Sequence, residues 1–155
     1  MKTIWITGGS SGIGLAVAKK FSKENWRVII SSKNIKNLNF AKKNILEQHK
    51  NNEIYALKCD ISIKKEVENT ISKIERDISK IDLAILNAAA YSPNKSQEFD
   101  IKNYELLIDV NIKGTLYCID VLNKYMSGRG NHIAIVSSPA GYRGLPTAGA
   151  YGLSK

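Results

Sequence analysis

The stretch Thr7-Gly8-Gly9-Ser10-Ser11-Gly12-Ile13-Gly14 decides the fold. It follows a short β-rich run, Lys2–Thr7. It opens a segment, Gly12–Glu24, whose apolar residues Ile13, Leu15, Ala16, Val17, Ala18 and Phe21 suit a helix packed on a sheet. Glycine allows a sharp strand-to-helix turn and lets backbone come close to a pyrophosphate. The helix N-terminus then offers free N–H groups to the phosphate oxygens. Strand, glycine loop and helix in that order are the context a dinucleotide site requires. A Walker-type loop is excluded, because no Gly-Lys-Ser/Thr follows the glycines.

The same alternation continues outward. Arg27–Ser32 reads as a strand with Val28, Ile29 and Ile30 as its apolar centre, and Asn34–Lys50 as a helix with Ile35, Leu38, Ala41 and Ile45 on one face. Glu53–Cys59 is a third strand. Ser62 is the expected N-cap of a helix over Ile63–Ser79, with Val67, Ile71, Ile74 and Ile78 at helical spacing. Ile81–Leu86 is a fourth strand, a long helix runs from Ile101 to Met126, and Ile133–Val136 is a fifth strand after the turn Gly128-Arg129-Gly130-Asn131. Tyr91–Phe99, with Ser92, Pro93, Asn94 and Lys95, is the most loop-like stretch. Continuous apolar strands separated by helices predict an α/β domain built on a doubly wound parallel sheet covered on both faces.

Composition narrows the class. The 155 residues are 43% hydrophobic, enough for one domain with a real core. No apolar run approaches the ~20 residues of a membrane span. The N-terminus lacks the apolar core and cleavage site of a signal peptide, so a cytoplasmic location and no membrane partner are expected. The net charge is +9, but lysine supplies 19 of the 23 basic residues and the lysines are scattered. They form no aromatic-laced stripe, so nucleic acid is not an expected partner. Cys59 and Cys118 lie far apart in no metal-like spacing and read as buried reduced thiols. His49 and His132 are isolated, and no metal is expected.

Tyr151-Gly152-Leu153-Ser154-Lys155 places a phenol and an ammonium one helical turn apart on one face. A lysine cation beside a tyrosine favours the phenolate and brings its pKa down from ~10, toward use as an acid or base. Second-strand chemistry bears on the dinucleotide. A carboxylate at that strand's end would bind the adenosine ribose hydroxyls and select NAD. The residues there are Ser32 and Lys33, and Lys33 can pair with a 2′-phosphate. NADP(H) is therefore favoured, with NAD(H) possible.

The pattern Thr7-Gly8-x-x-x-Gly12-x-Gly14, with Tyr151-x-x-x-Lys155 and Ser138 thirteen residues before the tyrosine, resembles the short-chain dehydrogenase/reductase family, in its short single-domain branch. The resemblance implies a Rossmann-like sheet, here with five strands of the family's usual seven. It implies hydride transfer between a nicotinamide and a small-molecule carbonyl or alcohol. Thr7, Gly8, Ser10, Ser11, Gly12, Ile13 and Gly14 would form the cofactor loop, Ser32 and Lys33 the ribose-phosphate end, and Asp60 and Ile61 the adenine site. Leu86-Asn87-Ala88-Ala89 stands where the family usually has Asn-Asn-Ala-Gly: Asn87 and Ala88 match, Leu86 and Ala89 do not, and Asn87, Ala88 and Ala89 would lie against the cofactor. Asn111, Ser138, Tyr151 and Lys155 fall on the catalytic positions. By resemblance Tyr151 exchanges the proton, Ser138 polarises the substrate oxygen, Lys155 binds the nicotinamide ribose, and Asn111 holds a relay water.

Members of that family continue beyond the lysine, and full-length relatives form homo-oligomers. The chain is accordingly expected to be a C-terminally incomplete dinucleotide-binding domain over residues 1–155, a fragment of an NADP-dependent oxidoreductase. The alternative is a non-catalytic dinucleotide-binding module. The tyrosine helix is expected to be only one turn long, with a terminal carboxylate competing at Lys155 and the fifth strand left as a sheet edge.

Overall fold

Thr3–Thr7 (β1) is buried at every residue, which places it in the middle of the sheet. The structure, a computed structural model, describes residues 1–48, 53–93 and 99–155. His49 and positions 94–98 of the expected loop lie outside the described residues. Arg27–Ser32 (β2), Ile54–Lys58 (β3), Leu83–Leu86 (β4) and His132–Ile135 (β5) join β1 in one parallel sheet of order β3-β2-β1-β4-β5. This is the expected Rossmann-like architecture. The chain leaves β1 toward β2 and β3, then crosses to β4 and β5. The order therefore switches between β1 and β4, where a doubly wound sheet opens a crevice at the carboxyl ends of its strands.

Alternate residues of each strand feed opposite faces. Ile4 and Ile6 pack with Val28 and Ile30 against Gly12–Lys23 (α1) and Ile35–Gln48 (α2), where Ala18, Leu38, Ala41 and Ile45 are buried. Trp5 and Ile29 face the other way, onto Lys64–Lys73 (α3) and a later helix, with Val67, Ile71, Cys118 and Leu122 buried among them. The Trp5 indole N–H donates to Ser31 Oγ at 3.1 Å, so the largest core side chain leaves no polar atom stranded.

Two helix starts differ from expectation. Ser62 does not cap α3, whose N-cap is Ile63 without a side-chain bond. The Ser62 hydroxyl and N–H are both taken by Asp60 Oδ1, at 2.7 and 3.0 Å, and Ser62 lies one residue too early for a cap. Asn34 instead caps α2, its Oδ1 accepting from the Lys36 and Asn37 N–H groups. The long helix is continuous but not uniform. Ile101–Leu107 (α4) widens to a π-helical stretch, Ile108–Gly114, before Thr115–Met126 (α5). A second π turn, Ile74–Ile78, ends α3 and buries Glu75. That carboxylate, 1% exposed, takes both guanidinium arms of Arg129 at 3.0 and 3.1 Å and the Ile81 N–H at 2.9 Å. Gly149–Leu153 (α6) is a single short turn, and β5 is the outer strand, with Ile135 56% exposed.

Both cysteines are free and buried, as the sequence implied. Burial pushes the Cys59 thiol from its ordinary 9.0 up to about 11 and the Cys118 thiol up to about 12. Iodoacetamide at pH 8 should therefore label neither thiol in the native protein and both after denaturation; native labelling at the unfolded rate would contradict this. The raised values also carry a sign. Stability is full below pH 9, the ordinary thiol value, and falls as pH rises toward 11, because only the unfolded thiol ionises in that window. Glu75→Gln keeps the volume but removes the charge facing Arg129, and should lower unfolding free energy by about 1–3 kcal/mol in urea titrations.

Candidate functional site

The glycine loop meets the end of β4 through two groups of reciprocal bonds. Thr7 Oγ1 accepts from the N–H groups of Asn87 and Ala88, each at 3.0 Å. The Asn87 side-chain amide donates back to the Thr7 and Gly8 carbonyls at 3.1 and 3.3 Å. Gly14 sits beneath this staple, where a Cβ would lie 2.4 Å from the Gly8 carbonyl oxygen and 2.6 Å from Asn87 Nδ2. Gly12 is different. Its φ of +52° is left-handed, and nothing lies within 4 Å of where its Cβ would be.

Above the staple is a cleft of about 430 Å³, within the range that accommodates a small ligand or cofactor. It brings together Gly8, Ser10, Ser11, Ser32, Lys33, Asp60, Ile61, Asn87, Ala88 and Ala89 from the residues singled out in sequence. Asn34, Asn37, Cys59, Ala90 and Val110 also line it, and the motifs did not point to them. Asn34 and Asn37 had one available signal: they follow Lys33 at the cap and first turn of α2. Thr7, Gly12, Ile13 and Gly14 are not among the lining residues. Thr7 and Gly14 act from below, and Ile13 is 64% exposed at the start of α1.

The cleft suits a dinucleotide on chemical grounds. Ser11, the extended N-cap of α1, makes no side-chain capping bond, and no acidic residue stands in the first turn. The leading N–H groups of the helix are therefore left for an anion. Lys33 is exposed at the far end, beside Ser32. Asp60 spends Oδ1 on Ser62, and its own N–H donates to Glu66 Oε2 at 2.8 Å. The turn into α3 thus uses one of the two Asp60 carboxylate oxygens.

The other candidates cluster beyond the cleft, at the ends of β4 and β5. Asn111, 7% exposed in the π-helical stretch, accepts from Ala90 N–H through Oδ1 at 2.7 Å. Its Nδ2 donates to the Ala90 carbonyl at 3.0 Å and to Ser154 Oγ at 2.8 Å. The Ser154 hydroxyl donates in turn to the Tyr151 carbonyl at 2.8 Å. Ser138 caps the short turn Pro139–Gly141, its Oγ accepting from Ala140 N–H at 3.2 Å. Lys155 Nζ donates to the Val136 carbonyl at 3.0 Å and lies 5.6 Å from the centre of the Tyr151 ring. Partial burial holds the Lys155 ammonium below the usual lysine range. The Tyr91 ring, which the sequence did not single out, meets Tyr151 edge to face at 4.9 Å.

Comparison with known proteins agrees with this layout. The model of the short chain dehydrogenase family matches residues 2–155, and the chain belongs to that family. A 3beta-hydroxysteroid dehydrogenase of Mediterraneibacter gnavus is 33% identical over 155 residues, covering 99% of this chain and 55% of the relative. An uncharacterized oxidoreductase of Staphylococcus epidermidis is 27% identical over 99% of this chain and 65% of the relative. The chain thus spans about two-thirds or less of the length of these curated relatives. Levodione reductase superposes with a TM-score of 0.92 at 22% identity, over 99% of this chain and 60% of that one. A short-chain dehydrogenase/reductase from Mycobacterium marinum gives 0.91 at 22% identity, over 99% and 63%. At those identities the likeness is one of fold. Among the described residues, no helix is long and apolar enough to cross a membrane, and no group of three or more His, Cys, Asp or Glu is arranged to hold a metal.

The two glycines should fail differently. Gly14→Ala forces backbone apart and should cost about 1–3 kcal/mol in denaturant unfolding. Gly12→Ala meets open space and should cost only the ~1–2 kcal/mol of a left-handed residue, most of it recovered in Gly12→Asn. Equal losses for Gly12→Ala and Gly12→Asn would contradict the conformational account.

Proposed function

We propose that this chain is the dinucleotide-binding part of an oxidoreductase that acts on a carbonyl or alcohol carbon with NADP(H). The observation that carries the reading is the Asn111 amide. It ties Ala90, a wall of the cleft, to Ser154, in the turn that carries Tyr151 and Lys155. Cofactor cleft and proton-transfer pair are thereby joined by protein hydrogen bonds.

Gly8, Ser10, Ser11 and the α1 N-terminus would hold the pyrophosphate, together with Thr7, Gly12, Ile13 and Gly14 that shape the loop. Asp60 and Ile61 would receive the adenine, the free Asp60 oxygen facing its exocyclic amine. Ser32 and Lys33 would hold the ribose 2′-phosphate, and Asn87, Ala88 and Ala89 would lie along the dinucleotide. The bound dinucleotide supplies or accepts the hydride. Ser138 has its Oγ lone pair oriented by Ala140 N–H, which leaves its O–H to donate to the substrate oxygen. Tyr151 delivers its phenolic proton to that oxygen in reduction and takes it back in oxidation. Lys155 donates one of its three N–H groups to Val136 and keeps the others for the nicotinamide ribose hydroxyls. Asn111 fixes the geometry, and a relay water on it would use the second lone pair of Oδ1. Residues 1–155 then form a single dinucleotide-binding domain.

Calorimetric titration of the intact protein should give tighter binding of NADPH than of NADH. Lys33→Ala should weaken NADPH about tenfold, the loss of one charge-assisted hydrogen bond, and leave NADH unchanged. Equal wild-type affinities would overturn the NADP preference. Tyr151→Phe should lower carbonyl reduction at least about a hundredfold with NADPH binding intact; full activity in that variant would overturn the proton-transfer assignment.

A further inference from the structure

We propose that Tyr91 is a positioning residue for the Tyr151 phenol, an inference that rests on the proton-transfer role just given to Tyr151. The two rings meet edge to face, with centroids 4.9 Å apart and planes at 81°. That geometry is attractive in itself and resists rotation of either ring. Tyr91 belongs to no helix or strand, yet its backbone is not free to wander. Its neighbour Ala90 is clamped through both N–H and C=O by Asn111. The same Asn111 amide reaches Ser154 Oγ, and that hydroxyl reaches the Tyr151 carbonyl. Backbone bonds and ring contact thus close one circuit: Tyr91, Ala90, Asn111, Ser154, Tyr151 and back to Tyr91.

The circuit matters because α6 is five residues long and carries Tyr151 in its middle. The helix sets where the Tyr151 backbone lies but not where its ring points. A proton donor misplaced by about 1 Å loses a large part of its rate. Among the described residues, the Lys155 ammonium lies 5.6 Å from its centre and the ring of Tyr91 meets its edge. Tyr91 itself is 61% exposed, so it contributes little to the core. An aromatic ring left largely in water at the carboxyl edge of the sheet, in edge contact with the phenol, acts on that phenol. Removing it should touch chemistry and leave stability alone.

The test uses the intact protein, with NADPH and ethyl acetoacetate as the probe. Tyr91→Phe preserves the ring and should keep kcat within about twofold of wild type, whereas Tyr91→Leu should lower kcat about tenfold with little change in KM or NADPH affinity. A second readout needs no turnover. In protein labelled with ¹³C-tyrosine, the Tyr151 ring signals, assigned by their loss in Tyr151→Phe, should move and report faster ring flipping in Tyr91→Leu but not in Tyr91→Phe. Unmoved Tyr151 signals in the leucine variant overturn the inference. So does a rate loss confined to KM, which would make Tyr91 a wall for substrate. If Tyr151→Phe itself keeps full activity, the proton-transfer assignment fails and takes this inference with it. If Tyr151→Phe is inactive and Tyr91→Leu has wild-type kcat, the inference alone fails.

Discussion

Asn111 sits in the middle of a helical run, yet its amide forms bonds that leave the helix. A buried amide must find partners, because an unsatisfied one costs free energy comparable to a lost hydrogen bond. Here the partners are the backbone of Ala90, beyond the end of β4, and the hydroxyl of Ser154, beyond the end of β5. The helix accommodates this by widening over Ile108–Gly114. A π turn displaces the usual backbone pairing, and the Thr115 hydroxyl donates to the Asn111 carbonyl at 2.8 Å. Gly114 lets the widened segment run against Ile61, where a Cβ would meet the isoleucine side chain at 2.8 Å. One satisfied side chain therefore ties its own helix to the segment beyond β4 and to the turn that ends α6.

The Thr7–Asn87 staple does the same for the central crevice. β1 and β4 are neighbours, but the connections leaving them diverge, so nothing in the sheet ladder holds the loops beyond their ends. Side-chain bonds to backbone carbonyls and N–H groups supply that hold. At the opposite end of the strands, Glu75 and Arg129 play the equivalent structural part, tying the second π turn to the turn before β5. The two ends of the sheet are thus secured by polar contacts, while its faces are held by apolar burial.

Electrostatics at the site comes from local groups more than from the net charge of +9. Several surface lysines are paired with carboxylates, as in Lys20–Glu24 and in Lys64 and Lys124 around Asp120. Such exposed pairs contribute little to stability. In the cleft, Lys33 is the lysine among the lining residues and Asp60 the carboxylate. The uncapped α1 N-terminus adds an oriented dipole where a phosphate would sit.

Much of this was legible in the residues. Runs such as Ile4-Trp5-Ile6 and Val28-Ile29-Ile30 must be buried on both faces, and glycines between strand and helix mark the loop where a phosphate can approach. Tyr151 and Lys155 share a face by spacing alone. The sequence could not distinguish Ser62 from Ile63 as the start of α3, because a serine near a helix end is equally able to serve a turn, and Asp60 claimed it. Nor could it show that Asn111 and Ser154 would meet, that Tyr91 would touch Tyr151, or that Asn34 and Asn37 would line the cleft. Periodicity and motif spacing report which face a residue occupies within its own element. Contacts between elements depend on where the sheet order places strand ends that are far apart in sequence, and only the folded chain decides that.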